Sequence, residues 1–120
     1  MEVLTMKRTL NIVHVDKTPF FNYDLTEGAE FPVFGCKAAV IDCGTSDGWK
    51  HYAVRSYWTI VAYIHVSDNS DVMVVDDVLR TTYGYTKTSV QHIRKAEEVV
   101  RRLSGYGSPS VQVRRYVWKP

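Results

Sequence analysis

Across positions 52–66 the even residues Tyr52, Val54, Trp58, Ile60, Ala62, Ile64 and Val66 are nearly all apolar, while the odd face carries His51, Arg55, Tyr57, Thr59, Tyr63 and His65 beside Ala53 and Val61. A period of two predicts a half-buried strand. Drawn straight, this stretch would span about 46 Å at roughly 3.3 Å per residue, against roughly 35 Å across a globule of this chain length. It is therefore expected to bend, bulge or divide, with the break at Arg55 and Ser56, where the apolar face is interrupted. The polar segment 67–71 followed by the apolar run 72–75 predicts an antiparallel hairpin. Asp76 and Asp77 close its second strand, and Val78, Leu79 and Arg80 are expected to extend it past a bulge.

Alternation over 10–15 predicts a further strand, and the apolar run 33–41 another, with Gly35 as a bulge. Between them, 16–32 is rich in turn formers and reads as a long loop, whose aromatics Phe20, Phe21 and Tyr23 either pin it to the core or form a contact patch. After the turn at Gly84, Thr88, Ser89, Val90 and Gln91 match a capping box. Val90, Ile93, Ala96, Val99 or Val100, and Leu103 then recur at helical spacing as far as the stop at Gly105. A last strand, 111–118, follows a turn at Ser108 and Pro109. The expected fold is α+β: a mainly antiparallel sheet of about five strands with one principal helix in the C-terminal half packed on it.

A length of 120 residues with 45% hydrophobic content suits a single compact domain, 1–120, with one core. Fifteen basic against thirteen acidic residues leave a net charge of +2, too balanced to demand a polyanionic partner. The N-terminus lacks a signal-like apolar run, and no stretch approaches the roughly 18 apolar residues of a membrane span. The expectation is a soluble, cytoplasmic protein without a membrane partner. Cys36 and Cys43 form no C-x-x-C pair; reduced thiols are expected, a disulfide between them being the alternative. No cofactor is implied, and His14, His51, His65 and His92 fall in no metal-ligand spacing.

Four groups of residues carry candidate chemistry. The start of the helix offers free N–H groups to an anion, with Lys87, Thr88 and Ser89 as further donors, although capping alone explains the last two. Arg114, Arg115, Trp118 and Lys119 combine phosphate-binding cations with a stacking ring, as a nucleic-acid platform would, or protect an edge strand with charge. On the helix, Arg94, Lys95, Arg101 and Arg102 are balanced by Glu97 and Glu98, which precede Arg101 and Arg102 by four residues and predict a self-paired, solvated face. The odd face of the central strand offers Tyr57, Tyr63 and His65 to a protein partner, unless the 16–32 loop or the helix covers it. Catalysis is not expected: Asp76 and Asp77 leave a strand on opposite faces, and Ser89 with His92 lacks an orienting acid and an oxyanion hole.

The segments Ser56-Tyr57-Trp58-Thr59-Ile60-Val61-Ala62-Tyr63 and Tyr85-Thr86-Lys87-Thr88-Ser89-Val90-Gln91-His92 resemble small, uncharacterised bacteriophage proteins sharing an S-Y-x-T-x-V/I-A strand and a Y-x-x-T-S-x-x-H helix start. The resemblance covers about a third of the chain and implies a phage-encoded accessory or host-interaction factor acting in the bacterial cytoplasm. The leading expectation is accordingly a non-catalytic protein that binds a host macromolecule, a protein before any other, through Tyr57, Tyr63 and His65. Nucleic-acid binding through the basic-aromatic C-terminal strand is the alternative. Pairing of an exposed strand or of the Tyr-rich face would give a homodimer.

Overall fold

The alternation at 52–66 is realised as two strands rather than one. In the computed structural model, which describes residues 7–26, 28–33, 35, 37–84, 86–105 and 109–120, the elements are β1 (Arg8–Val15), β2 (Glu30–Val33), β3 (Ala38–Ser46), β4 (Trp49–Ser56), β5 (Thr59–Ser67), β6 (Val72–Asp77), α1 (Leu79–Thr82), α2 (Lys87–Leu103) and β7 (Ser110–Trp118). The expectations that rest on Cys36, on Tyr85 of the second motif and on Ser108 lie outside the described residues. The strands form one seven-stranded sheet in the order β1-β7-β6-β5-β4-β3-β2. Pairing is antiparallel from β2 through β6, while β7 lies parallel to both β6 and β1.

This corrects the expected architecture of about five mainly antiparallel strands with one principal helix: among the described residues the sheet is mixed, has seven strands, and carries two helices. The physical reasons are local. The hairpin joining β4 and β5 turns at Tyr57 and Trp58, two aromatics that read as strand, and the ladder also slips between Val54 and Arg55. The expected strand over 33–41 is instead the end of β2 and the start of β3, with Gly35 in the turn between them at a φ of 66°. Leu79 and Arg80 enter α1 rather than a strand, with the Asp77 carboxylate accepting the Leu79 N–H at 3.1 Å. Parallel β6 and β7 need a crossover, and α1 with α2 supplies it.

The N-cap of α2 is Thr86, whose hydroxyl accepts the Ser89 N–H at 3.1 Å, so the helix begins ahead of the expected capping box at Thr88. Its apolar stripe, Ile93, Ala96 and Val100, packs on Val40, Tyr52, Val54, Ile64 and Val75 on one face of the sheet. The opposite face is covered by the loop after β1, where Phe21, Tyr23 and Leu25 lie over Ile41, Ala53, Tyr63 and Val78. The choice left open for these aromatics thus falls to the core, except for Phe20, which is 82% exposed.

Gly28 holds this loop down. The Asp42 N–H donates to the Ala29 carbonyl at 2.9 Å, and a Cβ on Gly28 would run into the Asp42 carbonyl. Gly28→Ala is expected to destabilise the fold by about 1–3 kcal/mol through overpacking. The check is a lower urea midpoint together with faster proteolysis within 16–29.

Candidate functional site

Strand alternation and register bring a row of polar side chains together beneath the loop. His51 of β4 lies directly opposite His65 of β5, and Asp76 of β6 lies opposite Arg114 of β7. Asp76, with no exposed surface, accepts from Arg114 Nε at 2.6 Å and Nη2 at 2.8 Å, from the Tyr116 hydroxyl at 2.9 Å and from His65 Nε2 at 2.9 Å. Burial works to raise its pKa, but hydrogen bonds from His65, Arg114 and Tyr116 outweigh that and hold the carboxyl below its ordinary range. Burial and the neighbouring carboxylate push the Tyr116 phenol up to about 12, leaving it a donor.

The row continues away from Asp76. His65 Nδ1 is 2.8 Å from His51 Nδ1, and His51 Nε2 is 2.8 Å from the Ser46 hydroxyl. A carboxylate can only accept, so His65 Nε2 carries a proton. With both imidazoles neutral the direction is then set throughout: Ser46 donates to His51, His51 to His65, and His65 to Asp76. Burial first, and then the neighbouring His65, lowers the His51 pKa against the Ser46 backbone and the Asp47 charge, which work to raise it. Tyr23 stacks on His51 with centroids 5.0 Å apart, and its hydroxyl lies 3.3 Å from His51 Nδ1. Phe21, Tyr23, Trp49, His51, His65, Val74 and Arg114 line a pocket of about 270 Å³.

A second polar cluster lies where the β4–β5 hairpin meets α2. The buried Ser56 hydroxyl is 2.7 Å from His92 Nδ1 and 3.0 Å from the Ser89 hydroxyl. The two motif segments singled out in the sequence therefore touch. Burial, then the Lys37 charge, lowers the His92 pKa. Above this cluster Tyr57 adopts a left-handed φ of 54°, rare for an aromatic residue. Its N–H bonds the Lys37 carbonyl at 2.7 Å, and its ring lies 5.5 Å from that of His92. Trp58, the other residue of the tip, is 95% exposed. Lys37, Tyr57, Thr88, Gln91 and His92 line a cleft of about 350 Å³ at its base.

The sequence-predicted residues are distributed accordingly. Tyr57 is exposed, but Tyr63 and His65 are buried beneath Phe21 and Tyr23, so the three do not form one contact face. Alternation had put them on a common side without showing that the loop covers it. Ser89 is buried against Ser56 and caps nothing outward, which removes it from the proposed anion site; Lys87 and Thr88 remain exposed. Arg114 is committed to Asp76, and Arg115 lies 3.5 Å from Asp77 on the other face. β7 is also an interior strand between β1 and β6, not a charged edge; Arg114, Trp118 and Lys119 are exposed, but Arg114 is already paired, while Arg115 is half-buried. Cys43 is a free thiol whose pKa burial pushes up to about 11.

Sequence reasoning missed Ser46, and it did not join Asp76 to the histidines. His51 and His65 were visible as one face, but the hairpin after β5 pairs Tyr63 with Asp76, so odd positions on β5 share a face with even positions on β6. Among the described residues no group of three or more His, Cys, Asp or Glu side chains could hold a metal ion, and no helix is long and apolar enough to cross a membrane. No family model, curated protein or solved structure matches the chain.

Proposed function

We propose that the protein works by binding another protein through the hairpin tip of Tyr57 and Trp58 and the cleft at its base, as a phage-type accessory factor engaging a protein of its bacterial host. The observation that carries this reading is Trp58, 95% exposed at the end of a tightly held two-residue turn. Tryptophan and tyrosine dominate binding hot spots because they bury much area at little entropic cost. Here the turn is fixed in advance by the Tyr57 N–H bond to Lys37 and by ring contact with His92, so little ordering remains to be done on docking. Lys37, Thr88 and Gln91 supply a polar rim. The two segments that carry the phage resemblance meet at this corner, which supports a shared role for them.

Trp58 touches too little of the fold to stabilise it, so Trp58→Ala is expected to leave the melting temperature unchanged. Affinity capture from a nuclease-treated bacterial lysate is the test. A protein retained by the wild type should be lost by at least about tenfold with Trp58→Ala, a change of about 1.4 kcal/mol. Equal capture by the variant, or capture that disappears with nuclease, overturns the reading; the second result would favour a nucleic-acid partner.

A further inference from the structure

We propose that Ser46 is a nucleophile activated through His51, His65 and Asp76, and that it transfers acyl groups from esters bearing an aromatic or similarly flat apolar moiety. The site is separate from the hairpin tip and uses none of its residues. Ser46 ends β3 at the surface, with its hydroxyl 2.8 Å from His51 Nε2. Behind His51 stand His65, at 2.8 Å, and the buried Asp76, 2.9 Å beyond. Nucleophile, base and orienting acid are thus in hydrogen-bond sequence, with one imidazole more than a triad has. The reactive end meets solvent and the charge-holding end is buried, the polarity that a general base needs. A serine bonded to a surface histidine for stability alone would require neither the second histidine nor a carboxylate locked by Arg114 and Tyr116.

The chemistry balances without a cofactor. Ser46 Oγ attacks the ester carbonyl carbon as its proton passes to His51 Nε2. The imidazolium so formed is held at Nδ1 by His65, whose Nε2–H stays on the Asp76 carboxylate. The tetrahedral intermediate expels the alcohol, which leaves with the proton from His51. Water then attacks the acyl-serine, giving a proton to His51, and as the bond from the carbonyl carbon to Ser46 Oγ breaks His51 returns that proton to Oγ, releasing the carboxylic acid and free Ser46. Asp47, next to the serine, is held at a φ of 53° in the turn between Ser46 and Trp49. The pocket that His51 and His65 line has aromatic and apolar walls in Phe21, Tyr23, Trp49 and Val74, with Arg114 as its one cation.

The test uses the full chain with a fluorophosphonate probe, the adduct located by peptide mass spectrometry, and with p-nitrophenyl acetate as a chromogenic ester. A single adduct at Ser46 is expected, absent in Ser46→Ala and formed at least about 100-fold more slowly in His51→Gln. Both positions are partly exposed, so both variants should fold. Asp76→Asn, where it folds, tests the positioning residue. His51 is faced by Ser46, Tyr23 and His65 and by the charges of Asp47 and Lys50; removing the Asp76 charge disfavours imidazolium in the row, so the pH of half-maximal labelling should fall. No adduct at Ser46 on the folded wild type overturns the proposal. So does labelling at Ser46 that is indifferent to His51→Gln.

Discussion

Asp76→Ala is expected to cost about 3–5 kcal/mol of stability, the loss typical of breaking a buried ion pair from one side, and to lower the melting temperature by more than about 10 °C. The side chain has no exposed surface and accepts four hydrogen bonds, from Arg114, His65 and Tyr116. Arg114, with 45% of its side chain exposed, can turn to water when its partner goes. His65 cannot, because Phe21 and Tyr23 lie over it, and its Nε2–H would be left without the carboxylate. Asp76→Asn keeps the shape and isolates the charge. Because the folded carboxyl titrates below its ordinary value, its contribution is complete above the unfolded carboxyl pKa of about 4 and is lost as pH falls through the folded pKa. The gap in urea midpoint between wild type and Asp76→Asn should therefore be constant from pH 6 to 8 and close in acid. A gap that does not narrow as acid is added would mean that the difference between the two side chains does not come from the carboxylate charge.

Much of the sheet was legible because period-two alternation is written into its strands: β1, β6 and β7 fall within a few residues of the runs at 10–15, 72–75 and 111–118, and β4 and β5 together cover the run at 52–66. Topology was not. Nothing in a strand's own pattern says that β7 inserts between β1 and β6, and that insertion makes the sheet mixed and its basic strand interior. The hairpin at Tyr57 and Trp58 was hidden for a different reason: turns are recognised by glycine, asparagine and aspartate, and here the left-handed position is filled by tyrosine. Strain of that kind persists where the surroundings enforce it, and Lys37 and His92 do so. The polar row was half visible, since His51 and His65 share a face by count, but Ser46 and Asp76 join it only once the register across three strand pairs is known. Faces can be read from one strand; neighbours require the sheet.

Tyr63→Ala is expected to separate the covered face from the exposed tip most sharply. Tyr63 is 6% exposed. Its ring lies 4.4 Å from that of Phe21 and 5.9 Å from that of Tyr23, and it packs among Ile41, Ala53 and Val78. Truncating a buried aromatic typically costs about 3–5 kcal/mol, and here the loop over 16–29 would lose the platform on which both of its inward aromatics rest. Loop opening should follow, with increased hydrogen exchange at 16–29 and at Asp42, whose N–H bonds the loop at Ala29. Tyr57→Ala, by contrast, removes a residue that is 42% exposed from a strained backbone position, so its stability change should stay within about 1 kcal/mol. Loss of partner capture in Tyr63→Ala would thus report unfolding, whereas loss in Tyr57→Ala or Trp58→Ala at unchanged melting temperature reports the contact itself. Equal stability of Tyr63→Ala and the wild type would mean that the loop does not seal this face in solution, and would return Tyr63 and His65 to the surface as contact residues.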